Sequence, residues 1–252
     1  MDFTKALTYP FDDPDWMKKL AIPAGISFVL LIFGFGAAFF PPVILCVFPL
    51  LIAVIPLVGW QLETMKNIRN NAANPMASWD DFGGLTRKGL TPFLAFIVYQ
   101  IPLLLVICVG AAVVALPVLG VSSLDNVGDD VTAALGGLMT VAIICCSCLF
   151  VLYGIAANIV YWGGFMRYLE KEEFSTFMQI PENIAIIQNN MSDFLMAYLF
   201  TLIGGVIANA IGFAVPCLGW AATLPFQFYF NSHIMGQLAA KIGGAAAPKP
   251  MV

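Results

Sequence analysis

The sequence predicts an all-α, polytopic integral membrane protein. Three observations predict it: apolar residues dominate the chain, they gather into six separated runs, and every Lys and Arg lies on one side of those runs. Hydrophobic residues make up 60% of the 252 residues and charged residues 10%, with a mean hydropathy of +0.89. Soluble domains carry roughly 25% charged residues, so this chain lacks the charge to cover a water-facing surface. Six spans of about 20 residues would use roughly half the chain. The rest makes short connections within one domain, residues 1–242, followed by an Ala- and Pro-rich tail, residues 243–252, that is predicted to be disordered.

The first apolar run covers about residues 20–40 and stops at Pro41-Pro42. Asp12, Asp13, Asp15 and Trp16 precede it and no small-residue cleavage site follows, so it reads as a retained span. The second run covers residues 43–62 and ends in a polar stretch. The third, 90–119, leads to a loop with Asp125, Asp129 and Asp130. The fourth, 131–165, is long enough to tilt or to extend past the bilayer. The fifth and sixth cover 194–214 and 218–239.

Orientation follows from charge. Lys5, Lys18 and Lys19 precede the first span, and Lys66, Arg69, Arg87 and Lys88 lie between the second and third. Arg167 and Lys171 lie between the fourth and fifth, and Lys241 and Lys249 follow the sixth. These are all 11 basic residues, and cytoplasmic loops are the ones enriched in Lys and Arg. Both termini are therefore expected in the cytoplasm. Trp16, Trp60, Trp79 and Trp162 fall at the expected cytoplasmic boundaries and Trp220 at an outer one, where an indole keeps its ring in lipid and its N–H near water.

An amphipathic segment precedes each pair of spans, and each is expected to lie as a short helix in the cytoplasmic interface. The first holds Phe3, Leu7, Tyr9, Phe11 and Trp16, with Asp13-Pro14-Asp15 as a helix start. The second runs from Ser78 to Lys88; Ser78 and Asp81 have capping-box spacing, and Arg87 and Lys88 suit a helix end. The third has Phe174, Phe177, Met178 and Ile180, then Pro181-Glu182 opening a helix to Asn189.

These residues resemble a known family. Tyr9-Pro10-Phe11 with Asp13, Asp15 and Trp16, then Gly59-Trp60 with Lys66, Ile68 and Arg69, then Trp79-Asp80-Asp81-Phe82 and Gly89-Leu90 are similar to an uncharacterised prokaryotic membrane family, the domain of unknown function numbered four-zero-one-three. The motifs extend over residues 3–110, with Ser78 where Glu after Pro is expected. The resemblance implies a multi-pass architecture in a prokaryotic inner (cell) membrane, and no chemistry.

Charged groups are absent from the span interiors, where each would cost roughly 2.5–3.5 kcal/mol. Glu63 and Asp193 read as boundary charges, and His233 as a lone boundary histidine. The candidate buried polar or ligand-facing groups are neutral: Asn158, Asn209, Gln100 and Gln227, with Tyr153, Tyr161 and Thr201 beside them. An interhelical hydrogen bond worth about 0.6 kcal/mol is the plain reading of such an amide; a ligand pocket is the alternative. Gly204, Ala208 and Gly212 repeat at fours and make the fifth span a candidate contact helix, either within the bundle or between copies. Cys46, Cys108, Cys145, Cys146, Cys148 and Cys217 lie in apolar runs without convergent histidines, so neither metal nor disulfide is expected. Glycine and aspartate patterns fit neither a calcium loop nor a phosphate loop.

The functional expectation is a non-catalytic membrane protein: a structural, accessory or assembly component, or one that organises lipid. No cofactor is expected. The expected partners are the lipid bilayer and a second copy or another membrane protein; the absence of a basic cluster excludes nucleic acid. The alternative is a transporter or channel for a neutral or lipid-like substrate, suggested by Pro49, Pro102 and Pro225 inside spans. An enzyme would need Asp80, Asp81 and Glu63 to converge.

Overall fold

The computed structural model describes residues 1–39, 44–122, 129–214 and 218–243, and among them the protein is all-α. A short helix α1 (Phe3–Thr8) and a 3-10 turn (Tyr9–Asp12) precede α2 (Trp16–Phe39) and α3 (Ile44–Arg69). Two long helices follow, α4 (Phe82–Ser122) and α5 (Asp129–Lys171). Then come the short α6 (Ser175–Met178) and α7 (Ile180–Asn189), and finally α8 (Met191–Ala214) and α9 (Leu218–Ile242). Among the described residues four helices are long and apolar enough to cross a membrane, over Trp16–Phe33, Phe82–Ala112, Gly136–Lys171 and Met191–Ala214. Of the aspartates expected in a loop, Asp129 and Asp130 instead open α5, where acidic residues suit the positive end of the helix; Asp125, the outer Trp220 side chain and the tail beyond Gly243 lie outside the described residues.

Side-chain registers fix how the helices run. Gly89 meets the Ile55 carbonyl and Gly59 meets the Leu85 carbonyl, so α3 and α4 are antiparallel. Tyr153 donates to the Tyr99 carbonyl and Tyr161 to the Pro92 carbonyl, so α4 and α5 are antiparallel too. Gly204 faces Phe230 and Ile211 faces Gly219, the same relation for α8 and α9. Helices α3 and α9 instead run parallel, with Met65 beside Gly236 and Arg69 beside Gly243. One end of the bundle thereby collects the starts of α2, α4 and α8, the ends of α3, α5 and α9, and the short helices. Every Lys and Arg among the described residues sits at that end.

Gly59 and Gly89 show why the crossing of α3 and α4 needs glycine. A methyl group at either would lie 1.8 Å or 2.0 Å from a backbone oxygen of the other helix. Helices in lipid gain little from burying apolar surface against each other, so such close approach supplies the packing energy.

The helix ends depart furthest from expectation at the start of α4. The segment from Ser78 is not a separate helix that closes at Arg87 and Lys88. Residues 78–81 form a turn, and Phe82 begins the 41-residue α4. The cap is Asp81, whose Oδ1 accepts the Gly84 N–H at 2.9 Å, while Ser78 bonds only to Asp80. Position decides this: the Asp81 carboxylate stands one residue before the first helical turn, where it meets the free N–H groups and the positive dipole end. The start of the third segment agrees with its sequence, with Pro181 in the first turn of α7 and Glu182 beside it. Helix α3 ends as a Schellman turn: the Ala72 N–H bonds the Asn67 carbonyl and Asn71 takes φ 53°.

Candidate functional site at the charged end of the bundle

Indole chemistry organises the approach to the site. Pro23 in α2 has no N–H, which leaves the Lys19 carbonyl without its helical partner. The Trp79 indole donates to that carbonyl at 2.8 Å. Trp79 stacks on Trp60, with ring centroids 5.8 Å apart and planes 2° from parallel. Trp60 is fully buried and donates to the Ala77 carbonyl at 2.8 Å, while the Ala77 N–H bonds the Thr64 hydroxyl at 3.1 Å. The ammonium of Lys19 completes the knot, 2.7 Å from the buried Asp13 carboxylate and 3.0 Å from the Met76 carbonyl. The strap between α3 and α4 is thus sewn to both of the preceding helices. Trp60 is a core residue here, and Trp79, Trp16 and Trp162 are half-buried against the core, Trp162 edge-on to Tyr198 at 5.8 Å.

Beside this knot lies a groove of about 600 Å³. The first turns of α4 form one wall with Gly84, Arg87, Lys88 and Thr91, and the end of α5 forms the other with Tyr168 and Glu172. Leu62 and Asp81 lie between them. Most charges around it are matched in pairs that join different helices. Lys88 meets Glu63 at 2.8 Å, and Lys66 meets Glu172. Hydrogen bonding from Lys66, and then its charge, hold the Glu172 carboxyl below the ordinary glutamate value, with a smaller push from Lys88. Glu172 also carries φ 54°, a left-handed conformation that costs a residue with a side chain roughly 1–2 kcal/mol. Two charges on the groove remain without an ionic partner among the described residues: the Arg87 guanidinium and the Asp81 carboxylate, whose one bond is to the Gly84 N–H.

A second polar cluster anchors the short helices. The Arg167 guanidinium is held by the side-chain oxygens of Asn183, at 2.9 Å, and Gln179. Asn183 and Tyr99 both donate to the Phe177 carbonyl, at 3.2 Å and 2.6 Å. Phe177 itself is fully buried, stacked on Tyr161. Around the rim, Arg69 pairs with Glu170 at 2.8 Å and Lys241 with Asp193. At the chain start, Asp2 exchanges backbone bonds with the Gln237 amide, and Tyr9 donates to the Tyr229 carbonyl at 2.9 Å. Burial, followed by Tyr229 and Asp13, pushes the Tyr9 hydroxyl well above its ordinary value.

The polar residues singled out from the sequence do not come together. Asn209 lies on an exposed face of α8 and donates to the Gly205 carbonyl one turn back, at 2.8 Å. Asn158, Gln100 and Gln227 are half-buried on three different helices. The Thr201 hydroxyl is the one buried side-chain polar atom without a hydrogen-bond partner among the described residues. Gly204, Ala208 and Gly212 are all buried, Gly204 against the Phe230 ring and Gly212 against Gly219 of α9. Glu63, Asp80 and Asp81 take separate partners in Lys88, Ser78 and the Gly84 N–H. Cys108, Cys145, Cys146 and Cys148 are free thiols. Sequence reasoning missed Arg167 as an anchor, Glu172 as a groove wall and Trp79 as a donor into α2; for Trp79 alone there was a readable signal, Pro23, whose missing N–H frees the Lys19 carbonyl for an indole.

A family model described as "Protein of unknown function (DUF4013)" matches residues 43–217, more than half of the chain and the whole of the groove. The match reaches well past residue 110 and starts after the Tyr9–Trp16 motif. Searches of the curated proteins and of the solved structures find no match.

Proposed function

We propose that this chain, which belongs to the DUF4013 family, is a non-catalytic six-span protein of a prokaryotic cell membrane that serves as a structural or assembly component and organises lipid at its cytoplasmic face. The observation that carries this reading is the use made of the charges. Of the acids that could perform general acid–base work, Glu63, Glu170, Glu172 and Asp193 are each engaged in an ion pair that ties one helix end to another. Charge at this end is spent on rigidity.

The count of six adds α3 and α9, 26 and 25 residues long, to the four apolar helices. Each is long enough for a hydrocarbon core of about 30 Å, and the antiparallel registers of α3 with α4 and α8 with α9 support alternating crossings. Convergence of the cations at one end supports a cytoplasmic assignment for that end. On this reading α1, α6 and α7 are the interfacial helices. Transport of a neutral substrate is the weaker reading, because Asn209 satisfies its donor locally and α4 and α9 run unbroken through Pro102 and Pro225.

Purification from native membrane in a mild detergent tests the proposal. The expected result is a particle larger than one chain, holding a second copy, another membrane protein or bound lipid. A lone, lipid-free chain would overturn it.

A further inference from the structure

The surface that leads out of the groove has a shape of its own. From Arg87, side chains at intervals of three and four residues along α4 are Leu90, Leu94, Ile97 and Ile101. That spacing places them in one stripe with the guanidinium at its head. All four are exposed, between 41% and 47%. From Arg87 to Ile101 the stripe runs roughly 20 Å, a little more than one leaflet of a hydrocarbon core about 30 Å thick. A cation at the head of a leaflet-long apolar track is the complement of a phospholipid, with phosphate above and acyl chain below.

The charges in the groove narrow the headgroup. With Lys88 held by Glu63 and Glu172 by Lys66, the two groove charges outside any ion pair are Arg87 and Asp81, one of each sign, Asp81 capping Gly84 through Oδ1. An anionic headgroup would satisfy Arg87 and face the Asp81 carboxylate unmatched. A headgroup with a phosphate and a primary ammonium satisfies both, since an ammonium is a three-fold donor and a carboxylate accepts only.

We propose that the groove beside α4 binds the headgroup of an amine-bearing zwitterionic phospholipid, with the phosphate on Arg87, the ammonium on Asp81, and an acyl chain along Leu90, Leu94, Ile97 and Ile101. This deepens the lipid-organising part of the proposed function and rests on the groove lying at headgroup level.

Native mass spectrometry of the full chain in mild detergent, titrated with phosphatidylethanolamine or phosphatidylglycerol, tests it. The intact protein should retain the ethanolamine lipid roughly threefold better, the scale of one exposed ion pair. Arg87→Ala, at an exposed position, should lower retention of both lipids. Asp81→Asn keeps the oxygen that caps Gly84 and should abolish the preference while phosphate binding persists. Soluble glycerophosphoethanolamine at equal concentration should displace neither lipid. Equal retention of the two lipids by the intact protein, an Arg87→Ala protein that binds like the intact one, or displacement by the soluble headgroup would each overturn the assignment. The same spectra report partners: a multi-chain particle without lipid preference sinks this inference alone, and a single chain with the preference sinks only the assembly reading.

Discussion

The two halves of α5 have much the same apolar character and opposite fates. Through its first half and just past its midpoint, Leu138, Val141, Ile144 and Leu152 are 57% to 68% exposed. In its last turns Phe165, Met166, Tyr168 and Leu169 are no more than 5% exposed, packed against α4, α6 and α7. Apolar character therefore does not locate the core of this protein. Lipid accepts the exposed half at no cost, since acyl chains are as apolar as leucine. What draws side chains into a core is the other end, where the backbone leaves regular helix and carbonyls need donors. Tyrosine and tryptophan supply donors and bulk together, and the core gathers around them.

Substitutions can break this contrast, and the largest effect belongs to Trp60. Trp60→Ala removes a fully buried ring and the donor to Ala77, and should destabilise by about 3–5 kcal/mol. Leu152→Ala should change stability by less than about 0.5 kcal/mol. Thermal unfolding in detergent compares them, and equal losses would mean that the exposed half of α5 is covered after all. Next comes the glycine contrast. Gly89→Ala drives a methyl group onto the Ile55 carbonyl and should cost roughly 1–3 kcal/mol. Gly136→Ala meets nothing within 4 Å and should be neutral or gain up to about 1 kcal/mol in helix propensity. The same unfolding assay reads both.

The smallest expected effect is at Glu172. Its folded-state pKa is lowered by Lys66, so its contribution is complete at pH values above the ordinary glutamate range and disappears as pH falls through the lowered value. Because the side chain is 60% exposed, the pair is worth less than about 1 kcal/mol. Glu172→Gln should lower the unfolding temperature slightly at neutral pH and match the native protein in acid. A difference that persists in acid would assign the effect to side-chain packing and not to the charge, since Glu and Gln bear the left-handed φ alike.

Much of the architecture was legible because hydropathy and charge are sums over many residues. Long apolar runs gave the class, and the cations marked the end at which they converge. The charged groove was not legible. It needs Glu172 and Tyr168 from the end of α5 beside Arg87 from the start of α4, and no local spacing joins positions so far apart. Arg87 and Lys88 misled for a related reason: cations suit a helix C-terminus, yet here they open α4 and answer to Glu63 and the groove. Asn209 looked like a buried amide because its neighbours are apolar, but in a bilayer apolar neighbours accompany the outward face as well.

The link between Asp2 and Gln237 carries a consequence for biosynthesis. The first residues dock on the last helix, 235 positions later. At about 5–20 residues per second a ribosome takes on the order of 10–50 s to make the intervening chain. Through that interval Phe3 and Tyr9 have no seat, since Phe230, Tyr229 and His233 do not yet exist. Residues 2–9 must wait until α9 has been made, and only then can these contacts close.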